Sequence, residues 1–140
     1  MTKSCLFCRI VAAEVPACVI YEDEEVVAFL DILPIRPGHA QIVPRRHYDF
    51  FDDLPASLLA RIGETAQRLA KAMKPLYGVA RVGFAFTGGD VAHAHAHVIP
   101  LVEATDLTSL RYFNGGARPA EPQELAHEAE KLRAGLEKLP

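Results

Sequence analysis

The chain has 140 residues and a mass of 15.3 kDa, with half of its residues hydrophobic and 24% charged. That size and balance fit a single domain spanning residues 1–140 and exclude two ordinary cores, disorder, collagen-like repeats and coiled-coil rods. A formal net charge of −3 and a pI near 6.0 give no positive field that would hold a nucleic acid polymer.

Arg9 and Glu14 interrupt the N-terminal apolar stretch and Pro16 follows, so the sequence predicts neither a signal peptide nor a membrane span, and a cytoplasmic location is expected. Residues 5–13 read as a short helix that ends on the approach to Pro16, because a residue before proline is pushed toward extended geometry. The three cysteines do not make a disulfide framework. Cys5 and Cys8 have the spacing of a metal or redox pair in a reducing compartment, and Cys18 reads as a small core residue.

Residues 18–22 and 26–31 are β-branched and aromatic runs around the acidic Asp23-Glu24-Glu25, the pattern of a hairpin. Pro37-Gly38 fits the centre of a type II turn. His39 then opens a strand over 40–43 that stops at Pro44. Between Pro55 and Tyr77, Leu58, Leu59, Ile62, Ala66, Leu69, Ala70 and Met73 recur at helical spacing, and Pro75 and Gly78 are expected to end that helix. Strands are predicted over 80–87 and 91–102, with a turn at Gly88-Gly89-Asp90. Residues 101–121 form a loop, and Leu125, Ala129, Leu132 and Leu136 mark an amphipathic helix over 122–139 that Pro122 starts.

The segment Val91-Ala92-His93-Ala94-His95-Ala96-His97-Val98-Ile99-Pro100 holds three of the six histidines on a period of two. In a strand this puts all three imidazoles on one face. A lone strand histidine is ordinarily a buried, hydrogen-bonded residue, but three on one face are costly to desolvate unless a metal or an anion compensates. Alternate residues lie about 6.6 Å apart along a strand, so neighbours can share a site and the outer pair, about 13 Å apart, needs a bend to do so. The three should therefore divide their labour, and either of two site types would compensate for their burial: a metal held by neutral imidazoles, or a phosphate that needs a nucleophile and donors.

With that segment in view, the chain resembles the histidine triad (HIT) superfamily of nucleotide hydrolases and transferases, in its bacterial Hint-like branch. Cys5-Leu6-Phe7-Cys8-Arg9-Ile10-Val11, Tyr21-Glu22-Asp23, Val27-Ala28-Phe29-Leu30-Asp31-Ile32, Pro37-Gly38-His39 and Ile42-Val43-Pro44-Arg45-Arg46-His47 look like successive blocks of that family, and the likeness covers residues 5–100. The resemblance implies an α+β fold, an antiparallel sheet packed against one long helix with a C-terminal helix, and a homodimer. It implies that His95 attacks an α-phosphorus of a purine nucleotide, an AMP or GMP derivative, to form a nucleotidyl-histidine that water resolves. His97 would contact phosphate and protonate the leaving group, and His39 would support the triad. Asp31 would hold the ribose hydroxyls and Phe7, Ile10, Phe29 and Ile32 would sandwich the base. The resemblance also implies a structural zinc held by Cys5, Cys8, His47 and His93.

The stretch Phe84-Ala85-Phe86-Thr87-Gly88-Gly89-Asp90-Val91 departs from the family, being shorter and lacking its Asn and its Gln-Ser/Thr pair. Gly88 and Gly89 can still offer backbone N–H groups to phosphate. The Asp90 carboxylate opposes an anion unless a cation from Arg36, Arg45, Arg81, Arg111 or Arg118 meets it. The expected activity is that of a nucleotide phosphoramidase or dinucleoside polyphosphate hydrolase. The alternatives are a zinc-stabilised nucleotide-binding regulator with little turnover, and a catalytic metal on His93, His95 and His97.

Overall fold

In the computed structural model, which describes residues 4–89, 91–108 and 118–140, helix α1 (Leu6–Val11) starts at Cys5, whose Sγ accepts the Cys8 backbone N–H at 3.4 Å. Strands β1 (Val19–Glu22) and β2 (Val26–Leu30) follow as an antiparallel hairpin, with a register shift between Val19 and Tyr21. Asp23 makes the turn: one carboxylate oxygen accepts the N–H groups of Glu25 and Val26 at 2.8 and 3.0 Å, and the other meets the Tyr21 hydroxyl and the Arg61 guanidinium. Burial pushes the Asp23 carboxyl up, but these donors outweigh it and hold the group well below the ordinary carboxylate range.

Strand β3 (Ala40–Pro44), helix α2 (Ala56–Tyr77), strand β4 (Arg81–Phe86), strand β5 (Ala96–Leu101) and helix α3 (Pro122–Glu137) complete the fold. The five strands form one antiparallel sheet in the order β1-β2-β3-β5-β4. This is the α+β arrangement expected from the sequence. Strands β2 and β3 are buried along their whole length because both faces are covered. On one face Val26, Ala28, Ile42 and Val98 pack with Ile62, Leu69 and Met73 of α2 and Leu132 of α3. On the other, Val27, Phe29 and Val43 pack under Phe7 and Cys8 of α1.

Two expectations are corrected. Helix α2 runs through Pro75 instead of ending there, since a proline in the last turn removes only one intrahelical bond, and Gly78 at φ +61° ends it by donating to the Lys74 carbonyl. The predicted strand over 91–102 begins only at Ala96. Before it the His93 N–H bonds the Val91 carbonyl at 2.9 Å and the Ala94 N–H bonds the Tyr48 carbonyl at 2.7 Å, which turns the backbone away from the sheet ladder. Within the predicted 101–121 loop a short 3-10 turn, Asp106–Thr108, forms. Asp90 and Arg111 lie outside the described residues.

The loop from Asp31 to His39 is held from behind. Arg36 makes a two-pronged bond to Asp106 at 2.8 and 2.9 Å, the Ala120 N–H bonds the Ile32 carbonyl at 2.9 Å, and Gly38, at φ +92°, lies against Tyr77. A Cβ at Gly38 would sit 2.5 Å from the Tyr77 ring. Gly38→Ala combines that clash with a positive φ, and it is expected to cost about 1–3 kcal/mol in urea unfolding without changing the far-ultraviolet spectrum.

Candidate functional site

The turn at Val91–Ala94 divides the three alternating histidines. His93, ahead of the strand, points toward α1: its Nδ1 lies 3.3 Å from Cys5 Sγ, 3.5 Å from Cys8 Sγ and 3.2 Å from His47 Nδ1, and His47 Nδ1 lies 3.2 Å from Cys8 Sγ. These four ligand atoms all fall within 4.8 Å of one another. Two second contacts orient the rings. His93 Nε2–H donates to the Pro44 carbonyl at 2.9 Å and His47 Nε2–H donates to Asp49 at 2.7 Å, so each ring in its neutral form turns its Nδ1 lone pair inward.

A tetrahedral zinc site with bonds of about 2.0–2.3 Å has ligand atoms roughly 3.3–3.8 Å apart. The observed spacings, the two-sulfur two-imidazole donor set and the outward Nε2 bonds fit that ion. All four ligand positions are filled by protein, the composition of a structural centre.

His95 and His97 face a different neighbourhood. His95 Nδ1 lies 2.8 Å from the His93 carbonyl oxygen. A carbonyl only accepts, so Nδ1 carries the hydrogen and the lone pair of the neutral ring sits on Nε2. The Phe7 ring meets His95 edge-on at 5.0 Å. His97, in β5, lies across the ladder from Gln41, and its Nδ1 is 2.9 Å from His39 Nε2.

The Ile35 backbone N–H donates to His39 Nδ1 at 3.1 Å, which places the His39 hydrogen on Nε2. That hydrogen is given to His97 Nδ1, and His97 therefore holds its own hydrogen on Nε2. Burial lowers the pKa of His39 to about 4. His97 is likewise lowered to about 4, by burial first and by its histidine neighbours second. Both rings are neutral at physiological pH.

Asp31 closes the group. Its Oδ2 lies 3.5 Å from His39 Nε2 and accepts from Gln41 Nε2 at 2.9 Å, while Oδ1 accepts the Leu33 N–H at 2.8 Å. Burial pushes its carboxyl above the ordinary value, against the pull of these donors. Gln41 is a site residue that the sequence reading passed over. The available signal was one amide inside the otherwise apolar run 40–43. Asp49, which orients His47, carried no signal at all.

Of the four expected base contacts, Phe7 and Phe29 meet edge-on with centroids 5.5 Å apart and Ile10 packs beside them. Ile32 is 66% exposed, so it does not close a slot over them in the free chain. Gly88, at φ +65°, and Gly89 are exposed beyond the end of β4. Arg36 and Arg45 are committed to Asp106 and to Glu22 with the Asp23 carbonyl.

A family model described as HIT domain matches residues 12–104, and the chain belongs to that family. It is 39% identical over 103 residues to an uncharacterised HIT-like protein of Methanocaldococcus jannaschii, covering 71% of this chain and 80% of that one. It is also 39% identical over 101 residues to the adenosine 5′-monophosphoramidase of Saccharomyces cerevisiae, covering 71% and 64%. Among solved structures, a zinc-bound histidine triad family protein of Mycobacterium smegmatis superposes with a TM-score of 0.80 at 30% identity, over 96% of this chain and 94% of that one.

The tautomers are directly measurable. Long-range 1H–15N spectra should show His39 as the Nε2–H form from pH 8 down to about 5, and titration near 6.5 would contradict the burial argument. Because the folded pKa lies below the unfolded one, the unfolded chain takes up the proton first. The stability His39 confers should be complete above about pH 6.5 and lost as pH falls through about 4.

Proposed function

We propose that the protein is a nucleotidyl hydrolase acting on P–N or phosphoanhydride bonds of purine nucleotides, with His95 as nucleophile and a nucleoside monophosphate as product. The observation that carries this reading is the His95 tautomer, with Nδ1–H fixed on a backbone carbonyl and the Nε2 lone pair available. The phosphoramidase name of the yeast relative agrees with it.

In the first half-reaction the His95 Nε2–P bond forms as the bond from phosphorus to the leaving group breaks. A leaving amine takes the bonding pair and one proton from solvent. Water then attacks phosphorus, the Nε2–P bond breaks, and the water's proton returns to solvent. The neutral His97 Nε2–H acts as the donor to the phosphate and the departing atom, held in register by His39. Asp31, kept in place by Gln41 and the Leu33 N–H, takes the ribose hydroxyls, and Phe7, Ile10, Phe29 and Ile32 take the base. The Gly88 and Gly89 amides face the phosphate.

Cys5, Cys8, His47 and His93 hold a zinc ion that ties α1 to the end of β3 and to the turn before β5, and it takes no part in the chemistry. The position of β4 at an edge of the sheet among the described residues supports assembly into a homodimer. No described helix is long and apolar enough to cross a membrane, which agrees with a cytoplasmic enzyme.

His95→Ala should fold normally and lose at least about a thousandfold in AMP release from adenosine 5′-phosphoramidate. Nucleotide binding without turnover by the wild type would instead favour a regulator. Metal analysis should find one zinc per chain. Cys5→Ser should lower that content and the melting temperature by roughly 10 °C, with turnover persisting below the transition; loss of turnover in a folded, zinc-free chain would move the ion into the chemistry.

A further inference from the structure

The hydrogen bond between His39 and His97, on which the proposed donor depends, is not set by the sheet alone. The ladder between β3 and β5 pairs Ile42 with Ala96, Gln41 with His97 and Ala40 with Val98, where it ends. His39 therefore enters the site from the loop beyond the last rung. That loop is held toward β5 by a carboxylate outside the proposed chemistry. Asp106, in the 3-10 turn after β5, is 2% exposed. Its Oδ1 accepts from Arg36 Nη2 at 2.9 Å, and its Oδ2 accepts from Arg36 Nε at 2.8 Å and from the backbone N–H groups of Val102 and Glu103 at 2.9 and 3.0 Å.

These bonds close a ring that passes through the site. Val102 follows the last residue of β5, the strand that carries His97. On the other side, the Arg36 carbonyl accepts the His39 N–H at 3.0 Å, and the neighbouring Ile35 N–H donates to His39 Nδ1 at 3.1 Å. From His39 the ring returns to His97 across the 2.9 Å bond. A buried ion pair is weak evidence for stability, because an apolar pair of similar volume often serves as well. The two-pronged geometry instead fixes direction as well as distance. Each of the two segments it joins carries one of the two bonded rings.

We infer that Asp106 is a positioning residue: through Arg36 it holds His39 against His97 and so fixes the tautomer and the aim of the His97 Nε2–H. The inference rests on His97 acting as donor in the proposed reaction and extends that reading to a side chain that touches no reacting atom.

The test uses the full-length protein and two substrates that differ in their need for a proton donor. Adenosine 5′-phosphoramidate has a leaving amine that needs a proton, whereas the 4-nitrophenyl ester of AMP releases a phenolate that does not. In Asp106→Asn the amide nitrogen faces Arg36 Nη2, donor against donor, and one prong is lost. For the phosphoramidate kcat/KM should fall about tenfold or more, and for the ester less than about threefold. Because the readout is a ratio within one variant, a general loss of active protein does not imitate it. Arg36→Lys keeps the charge but not the fork; it should shift the ratio in the same direction and carries the test if Asp106→Asn does not fold. Long-range 1H–15N spectra give a readout independent of turnover, in which His39 and His97 of either variant should populate both tautomers.

A folded variant in which both kcat/KM values fall equally, or in which the two tautomers are unchanged, overturns the inference and leaves the nucleophile standing. Failure of both variants to fold assigns the ion pair to stability and also overturns it. Turnover of neither substrate by the wild type overturns the hydrolase reading, and this inference with it.

Discussion

Backbone groups decide where the hydrogens of this site reside. The carbonyls of Pro44 and His93 each accept from one ring, and the Ile35 N–H donates to another. A neutral imidazole with one nitrogen fixed has no choice at the other. His93 thereby turns a lone pair toward the cysteines, His95 keeps a lone pair on Nε2, and His97 keeps a hydrogen there. Three rings of identical chemistry thereby present different atoms to their surroundings, as the roles of ligand, nucleophile and donor in the proposed function require. Had the backbone followed the sheet ladder through residues 91–95, the His93 carbonyl would be committed to a neighbouring strand and the selection would fail.

That backbone turn is held by two ties of different kinds. One is the Ala94 bond to Tyr48, which ties the turn to the segment after β3. The other is the cluster of Cys5, Cys8, His47 and His93, which joins α1 to the same two segments. The cluster lies over the smaller of the two cores, where among the described residues Phe7, Val27, Phe29 and Val43 pack with Cys5 and Cys8 themselves and a few partly buried residues. A short helix over so small a core has little apolar area to stabilise it, and a four-ligand crosslink is the contribution that region lacks. The loop from Asp31 to His39 depends in the same way on distant chain, through Arg36 with Asp106 and Tyr77 against Gly38. Asp106 and Tyr77, both remote in sequence, thus brace the segment that carries Asp31 and His39.

Most of this was legible in the sequence. The hairpin at Asp23, the Pro37-Gly38 turn and both long helices followed from local rules, because each rests on contacts within a few residues. The grouping of Cys5, Cys8, His47 and His93 came from the family resemblance, and the structure brings those side chains together. The strand over 91–102 was overextended because alternation alone cannot register a hydrogen bond to Tyr48, 46 residues away in sequence. Pro75 was given too much weight since its cost depends on how many turns follow it. Gln41 was missed because a polar residue inside a strand is common, and only the tertiary arrangement shows that its amide meets the Asp31 carboxylate.

The neutrality of the site has a consequence for phosphate. His39 and His97 are held uncharged by burial, the chain as a whole is acidic, and Arg36 and Arg45 are engaged elsewhere. The donors named in the proposed reaction are themselves neutral, the His97 Nε2–H and the amides of Gly88 and Gly89. Such donors attract a ground-state phosphate less than an arginine clamp would, but they are directional and their strength rises with the charge on the oxygen they meet. In the proposed reaction such donors contribute most where charge moves onto the departing atom, which is the distribution of binding energy that raises kcat. An added arginine would tighten ground state and transition state together, and the raised affinity would extend to the nucleoside monophosphate that has to leave.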